Sequence, residues 1–148
     1  MASPVRVVFL GGLGEIGRNC MAVEHDGKVL LIDCGLMFPD ADMHGIDLVL
    51  PDFSYLRDNA ERIVGCVATH GHEDHTGALP YVLPQLGVPV YATKLTQGLI
   101  RVKLKEHRLL PQSRLKTVEP GEETESSFAG ACWYPDRFAP RRIPGCRR

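Results

Sequence analysis

Residues 63–77 read IVGCVATHGHEDHTG. The first half is apolar and rich in β-branched residues, the composition of a strand buried on both faces. The second half places His70, His72, Asp74 and His75 within six positions of a chain that has six histidines in all. A strand ending in such a cluster delivers imidazole and carboxylate groups to one edge of a sheet. His70 and His72 stand two apart, so on an extended segment their rings share a side. Asp74 and His75 follow in a tighter loop and point elsewhere. Neutral imidazole and carboxylate are good zinc ligands, with bonds near ~2.0–2.2 Å. One pair can hold one ion and the next pair a second. Two neighbouring ions can share a bridging water, lower its pKa and clamp a phosphate or carbonyl oxygen. A single histidine is more often a surface or core residue, but four donors at one strand end are a ligand signature. Gly71 is expected to let the backbone turn close to the ions, and Gly77 to loosen the loop after them.

The flanking segments predict an α/β domain of the α+β type. Strands are expected over 5–10, 19–25, 28–35, 63–70 and 89–94, and RLKTVEPGEE (114–123) reads as a strand followed by a turn. Asp26-Gly27 is a two-residue hairpin signal between the second and third strands. SYLRDNAERI (54–63) reads as a short amphipathic helix with Ser54 as N-cap. HTGALPYVLPQLG (75–87) reads as a helix interrupted by Pro80 and Pro84. LTQGLIRVKLKEH (95–107) reads as a helix with Leu95, Leu99 and Val102 on one face. A hairpin followed by alternating strands and helices requires at least one antiparallel pair.

A chain of 148 residues can build one modest domain with a real core. Its net charge of -1 supplies no global field toward nucleic acid or membrane, although a local basic groove stays open. MASPVRVVFLGG lacks the apolar stretch of a signal peptide. No run approaches the roughly 18 apolar residues of a membrane span. A soluble, cytoplasmic protein is expected. The five cysteines are odd in number and none has CxxC spacing, which argues against a disulfide framework or a zinc knuckle. Cys34 and Cys66 lie in apolar runs and read as buried free thiols.

The composition changes near residue 124. Residues 124–148 hold five of the twelve arginines and none of the five lysines, and carry net +3 against -4 for residues 1–123. Neither strand nor helix periodicity runs through ACWYPDRFAPRRIPGCRR. We divide the chain into a partial domain at 1–123 and an atypical Arg/Pro-rich tail at 124–148. The tail is either a disordered basic segment that could touch nucleic acid or, as we favour, not native to the fold, as after a reading-frame change.

Three other patterns compete for chemistry. Gly12, Gly14 and Gly17 match GxGxxG after a strand, and Asp33 ends a following strand, which imitates a dinucleotide-binding fingerprint. That reading needs a helix where the Asp26-Gly27 hairpin stands. Asp40, Asp42, Asp47 and Asp52 crowd one loop, where a hard cation such as Ca2+ could bind, although solvated loop carboxylates explain them as simply. Arg101, Lys103, Lys105 and Arg108 form a basic stretch that could contact phosphates, or a solvated helix face.

THGHEDHTG resembles the HxHxDH motif of the metallo-β-lactamase superfamily. LGGLGEIGRN, LIDCGLMFPD, GIDLVLPDFSYL, THGHEDHTGALPYVL and VYATKLTQGLI, in this order, resemble the N-terminal part of the bacterial ribonuclease J family, a β-CASP group. The resemblance covers about residues 5–123. It implies an αββα sandwich, here incomplete and limited to its N-terminal half. It implies a ribonuclease acting as endonuclease and 5′–3′ exonuclease in RNA processing and decay. It implies two Zn2+ per complete site, with Mn2+ possible, RNA as partner, no membrane, and a homo-oligomer for the full-length family. By position, His70 and His72 match ligands of one metal, and Asp74 and His75 those of the other. Asp33 matches an aspartate near the site, and we expect it to orient ligands by hydrogen bonds; as a residue it could equally serve a turn. Another superfamily hydrolase, such as a lactonase or thioesterase, shares HxHxDH and is set aside only by the flanking resemblance. A non-catalytic RNA-binding piece is a third reading.

The family completes its site with another histidine and a bridging aspartate well downstream, and a further histidine beyond the β-CASP domain. After His75 this chain has only His107 and Asp136. His107 ends a helix, where the dipole favours it as a solvated residue. Asp136 lies in the atypical tail. The expectation is therefore a half-built site with weak metal affinity and little or no nuclease activity in this chain alone.

Overall fold

The computed structural model describes residues 4–119 and residue 128. Six strands form one mixed sheet in sequence order: β1 (Arg6–Gly11), β2 (Cys20–His25), β3 (Lys28–Ile32), β4 (Ile63–Val67), β5 (Pro89–Ala92) and β6 (Arg114–Thr117). The first three pair antiparallel, and β3 through β6 pair parallel. The β2–β3 hairpin closes on His25↔Lys28 around Asp26-Gly27, where both turn residues have positive φ, as its two-residue loop demands. The three parallel crossovers carry helices α1 (Ser54–Asp58), α2 (Glu73–Thr76) with α3 (Leu79–Leu86), and α4 (Lys94–Glu106).

The register sorts the strands into two faces. Ala22, Leu31, Cys66 and Val90 are paired in line across four strands and belong to the main core with Leu56, Leu79, Val82, Ile100 and Leu104 from the helices. Leu30, Val67, Tyr91, Val118 and Phe128 form a second cluster, to which Val23 and Val64 add. Apolar residues on both faces explain why the parallel strands read as continuous hydrophobic runs. A mixed sheet with helices in its parallel crossovers agrees with the α/β domain carrying an antiparallel pair that the sequence leads one to expect. Cys20, Cys34 and Cys66 are buried free thiols, as expected for Cys34 and Cys66. Among the described residues no helix is long and apolar enough to cross a membrane.

Several local expectations need correction. Ser54 is the first helical residue and not the cap; Asp52 Oδ1 accepts the Ser54 N–H at 2.8 Å in its place. The helix expected over 54–63 is a short α1 followed by a 3-10 turn at Ala60–Arg62. The segment 75–87 breaks between Thr76 and Leu79, not at its prolines: Pro80 sits in the first turn of α3, where its missing N–H costs nothing, and Pro84 lies inside that helix. On α4, Leu95, Leu99 and Val102 are exposed, and Thr96, Gln97, Ile100 and Leu104 are buried. The apolar stripe read from the sequence is therefore the outer face. The tail from 129 onward, including Asp136, lies outside the described residues.

Candidate metal centre

Strands β3 and β4 end side by side, and the site grows from their carboxyl ends, where open α/β sheets place their crevices. Asp33 follows β3 in the left-handed region, at φ 58°, and its N–H bonds the carbonyl of Val67 at 2.8 Å. This turn buries its carboxylate. Oδ1 accepts the Thr69 N–H at 2.7 Å, and Oδ2 accepts the Thr69 hydroxyl at 2.8 Å. The same Oδ2 lies 2.8 Å from His75 Nδ1. A carboxylate oxygen can only accept here, so His75 donates from Nδ1 and leaves Nε2 facing away from Asp33. One buried acid thus fixes both the exit of β4 and one histidine of the motif.

The motif loop is clamped by backbone bonds. The N–H groups of Asn19, Cys34 and Leu36 bond the carbonyls of Asp74 at 3.0 Å, His75 at 2.8 Å and Glu73 at 3.0 Å. Gly35 makes this approach possible: a Cβ there would stand 1.6 Å from the Asp74 carbonyl oxygen. The Asn19 side chain adds a bond from Nδ2 to the Asp74 carbonyl at 3.0 Å and lies 3.3 Å from both Asp74 Oδ2 and His75 Nε2.

The structure brings the expected donors together. The rings of His70 and His72 have centroids 4.6 Å apart, and those of His70 and His75 4.0 Å. Asp74 Oδ2 lies 3.4 Å from His75 Nε2. Burial holds the His70 pKa below its ordinary value, and the neighbouring His75 and His72 push it the same way, which favours the neutral, ligating form. The rings lie against one another, and among the described residues no group of three or more His, Cys, Asp or Glu donors converges on one point. The donor chemistry, the neutral His70 and the carboxylate behind His75 fit a divalent cation.

Other sequence expectations fare differently. Asp40, Asp42, Asp47 and Asp52 form no donor group of three, and Asp52 is engaged with the α1 backbone. Among the described residues this loop has no buried carboxylate like Asp33 behind it, so the Ca2+ reading for Asp47 gains no support. Gly12, Gly14 and Gly17 all have positive φ and lead into β2, not into a helix, which removes the dinucleotide fingerprint. Gly71 makes room for Leu99, whose Cδ1 would lie 2.3 Å from an added Cβ. Gly77 is the C-cap of α2 with helical φ, packed on Leu36, and does not loosen the loop. Within the basic stretch Lys103 pairs with Glu73. His107 is the C-cap of α4, with its ring 5.4 Å from that of Tyr81. Nothing in the sequence pattern marks Asn19, Thr69 and Gly35 as site residues. Their signal is their contact with the motif, which becomes visible only once β3 and β4 lie side by side. An open cleft of about 730 Å³ lined by the Gly14–Gly17 loop, Leu36, Met37, Phe38 and Asp40 opens onto Glu73 and Asp74.

The model of the metallo-beta-lactamase superfamily matches residues 13–136. The ribonuclease J of a Synechocystis strain is 49% identical over 119 residues, which is 80% of this chain and 19% of that protein. The ribonuclease J of Mycolicibacterium smegmatis is 45% identical over 146 residues, 96% of this chain and 25% of that protein, so this likeness runs past residue 123. The chain thus spans about a fifth to a quarter of the length of these relatives. A crystal structure of a diphosphatase from the PhnP family superposes with a TM-score of 0.54 at 26% identity, covering 82% of this chain and 53% of that one. With the HxHxDH loop at the mouth of a mixed sheet and a family match over most of its length, the chain belongs to the metallo-beta-lactamase superfamily.

Proposed function

We propose that this chain carries the N-terminal part of a ribonuclease J-like site for metal-dependent hydrolysis of RNA phosphodiesters. The observation that carries the reading is the buried Asp33 carboxylate bonded to Thr69 and to His75 Nδ1 behind the HxHxDH loop. A ligating histidine whose other nitrogen donates to a carboxylate is the recurrent support of a metal site. His70 and His72 would hold one divalent ion, and Asp74 and His75 a second; Zn2+ or Mn2+ suits these donors. Bound there, such ions supply Lewis acidity for attack on a phosphodiester. The chain's own contribution is placement. Asp33 orients His75, and the 34–36 backbone holds residues 73–75 at a fixed height above the sheet. The Asn19 amide donates toward Asp74 and His75. RNA as substrate is supported by the likeness to two ribonuclease J proteins at 45–49% identity. RNA processing in the cytoplasm, and a homo-oligomeric assembly in a longer chain, belong to the same reading.

These residues provide four donors, and the same reading makes the chain a weak binder of metal with little or no nuclease activity alone. Incubating it with labelled RNA and added Zn2+ or Mn2+, beside His72→Ala, tests this. Metal uptake lost in His72→Ala without cleavage is expected. Salt-tolerant cleavage abolished by His72→Ala would overturn the inactive part of the reading. No uptake by the parent chain would overturn the metal site itself.

A further inference from the structure

We propose that Thr69 is a positioning residue that sets the tautomer of His70, keeping its proton on Nδ1 and leaving the Nε2 lone pair for a divalent ion. The proposal rests on the metal-centre reading above. Thr69 Oγ1 stands 2.8 Å from Asp33 Oδ2 and 3.1 Å from His70 Nδ1. A hydroxyl has one hydrogen to give and two lone pairs to offer. Asp33 Oδ2 offers only lone pairs, so the hydroxyl hydrogen goes to Asp33. A lone pair of Oγ1 then faces His70, and only an Nδ1–H satisfies it.

The opposite arrangement would turn the Thr69 hydrogen toward His70 and set two oxygens 2.8 Å apart with no hydrogen between them. Asp33 cannot relieve this by turning. Its other oxygen is held by the Thr69 N–H at 2.7 Å, and the shared oxygen also accepts from His75 Nδ1 at 2.8 Å. A continuous path therefore runs from His70 Nδ1–H through the Thr69 hydroxyl to Asp33 Oδ2, and back from His75 Nδ1–H to that same oxygen. It joins the two histidines assigned to different metal positions. Both present Nε2, with one carboxylate as the common reference. Thr69 is the only member of the path that both donates and accepts, so removing its hydroxyl releases His70 alone.

The test uses the whole chain labelled with 15N-histidine. Nitrogen shifts of the metal-free protein, recorded about one unit above the ordinary imidazole pKa of ~6.5, report each tautomer directly. Zinc titration gives the affinity. In the parent chain His70 is expected as Nδ1–H. In Thr69→Val, which keeps the side-chain volume and the backbone bond to Asp33, His70 shifts to a mixture or to Nε2–H, and zinc binding weakens about 10-fold, the lower end for loss of a ligand's supporting partner. Thr69→Ser restores both. An Nε2–H tautomer for His70 in the parent chain overturns the proposal, as does a Thr69→Val protein unchanged in tautomer and affinity. Should Thr69→Val fail to fold, the parent spectrum and the Thr69→Ser spectrum decide. A parent chain that takes up no zinc overturns the metal-centre reading, and the metal-free tautomer still judges Thr69.

Discussion

Asp33 Oδ2 and His75 Nδ1 lie 2.8 Å apart although 42 residues separate them in the chain. The contact exists because β3 and β4 are parallel neighbours, so a residue leaving one strand meets the loop leaving the other. Asp33→Ala strips the support from His75 and unpairs the Thr69 N–H. Metal affinity should fall about 10- to 100-fold, and stability by about 0.5–1.5 kcal/mol for the hydrogen bond lost at the half-buried Thr69 N–H. Zinc calorimetry and urea unfolding check the two numbers separately.

Gly35→Ala should be more damaging than any single ligand change. The new methyl would meet the Asp74 carbonyl oxygen at 1.6 Å, a backbone atom with no flexible side chain to yield. A loss of about 3 kcal/mol or more is expected, at or beyond the upper end for overpacking. The readout is the unfolding midpoint, with His70→Ala as the comparison that removes a donor and leaves the loop clamp intact.

The outer and inner faces of α4 give a clean contrast. Ile100→Ala, at a position 1% exposed, should cost about 2–5 kcal/mol. Leu95→Gln, at a position 77% exposed, should stay within about 0.5 kcal/mol of the parent. Equal losses in thermal unfolding would mean that the stripe read from the sequence is the core face after all.

That helix also shows where sequence reading stops. Periodicity finds a stripe but not which side of it faces the sheet, and Thr96 and Gln97 are buried here while Leu95, Leu99 and Val102 are not. Strand existence is legible because β-branched runs and the Asp26-Gly27 turn act locally; the expected ends of β3 and β4 overshoot because Asp33 and Ala68 to His70 leave the sheet to build the site. The clustering of His70, His72, Asp74 and His75 is legible from their spacing. Thr69, Asn19 and Gly35 are not, because each acts through a partner distant in sequence: Asp33 for Thr69, and Asp74 for Asn19 and Gly35.

Glu24 predicts an acid limit to stability. Its carboxylate accepts two bonds from the Arg6 guanidinium, at 2.6 and 2.7 Å, and one from the Tyr55 hydroxyl, with Arg62 3.7 Å away. Hydrogen bonding from Arg6, then from Tyr55, lowers its pKa from the ordinary 4.5 to about 2. The folded state thus binds fewer protons than the unfolded one between those values, and stability falls as pH drops through that window. Glu24→Gln should cost about 1.5–3 kcal/mol at neutral pH, the scale for hydrogen bonds to a charged group, and should flatten the pH dependence of unfolding between 4.5 and about 2.

The central claim is that the HxHxDH loop is a divalent-metal site, and zinc binding to the purified, dialysed chain tests it most directly. The account predicts loosely held zinc that His70→Ala and Asp74→Ala each abolish and that Asp47→Ala leaves unchanged. Zinc held equally well by all four proteins, or by none of them at any zinc concentration, would contradict it.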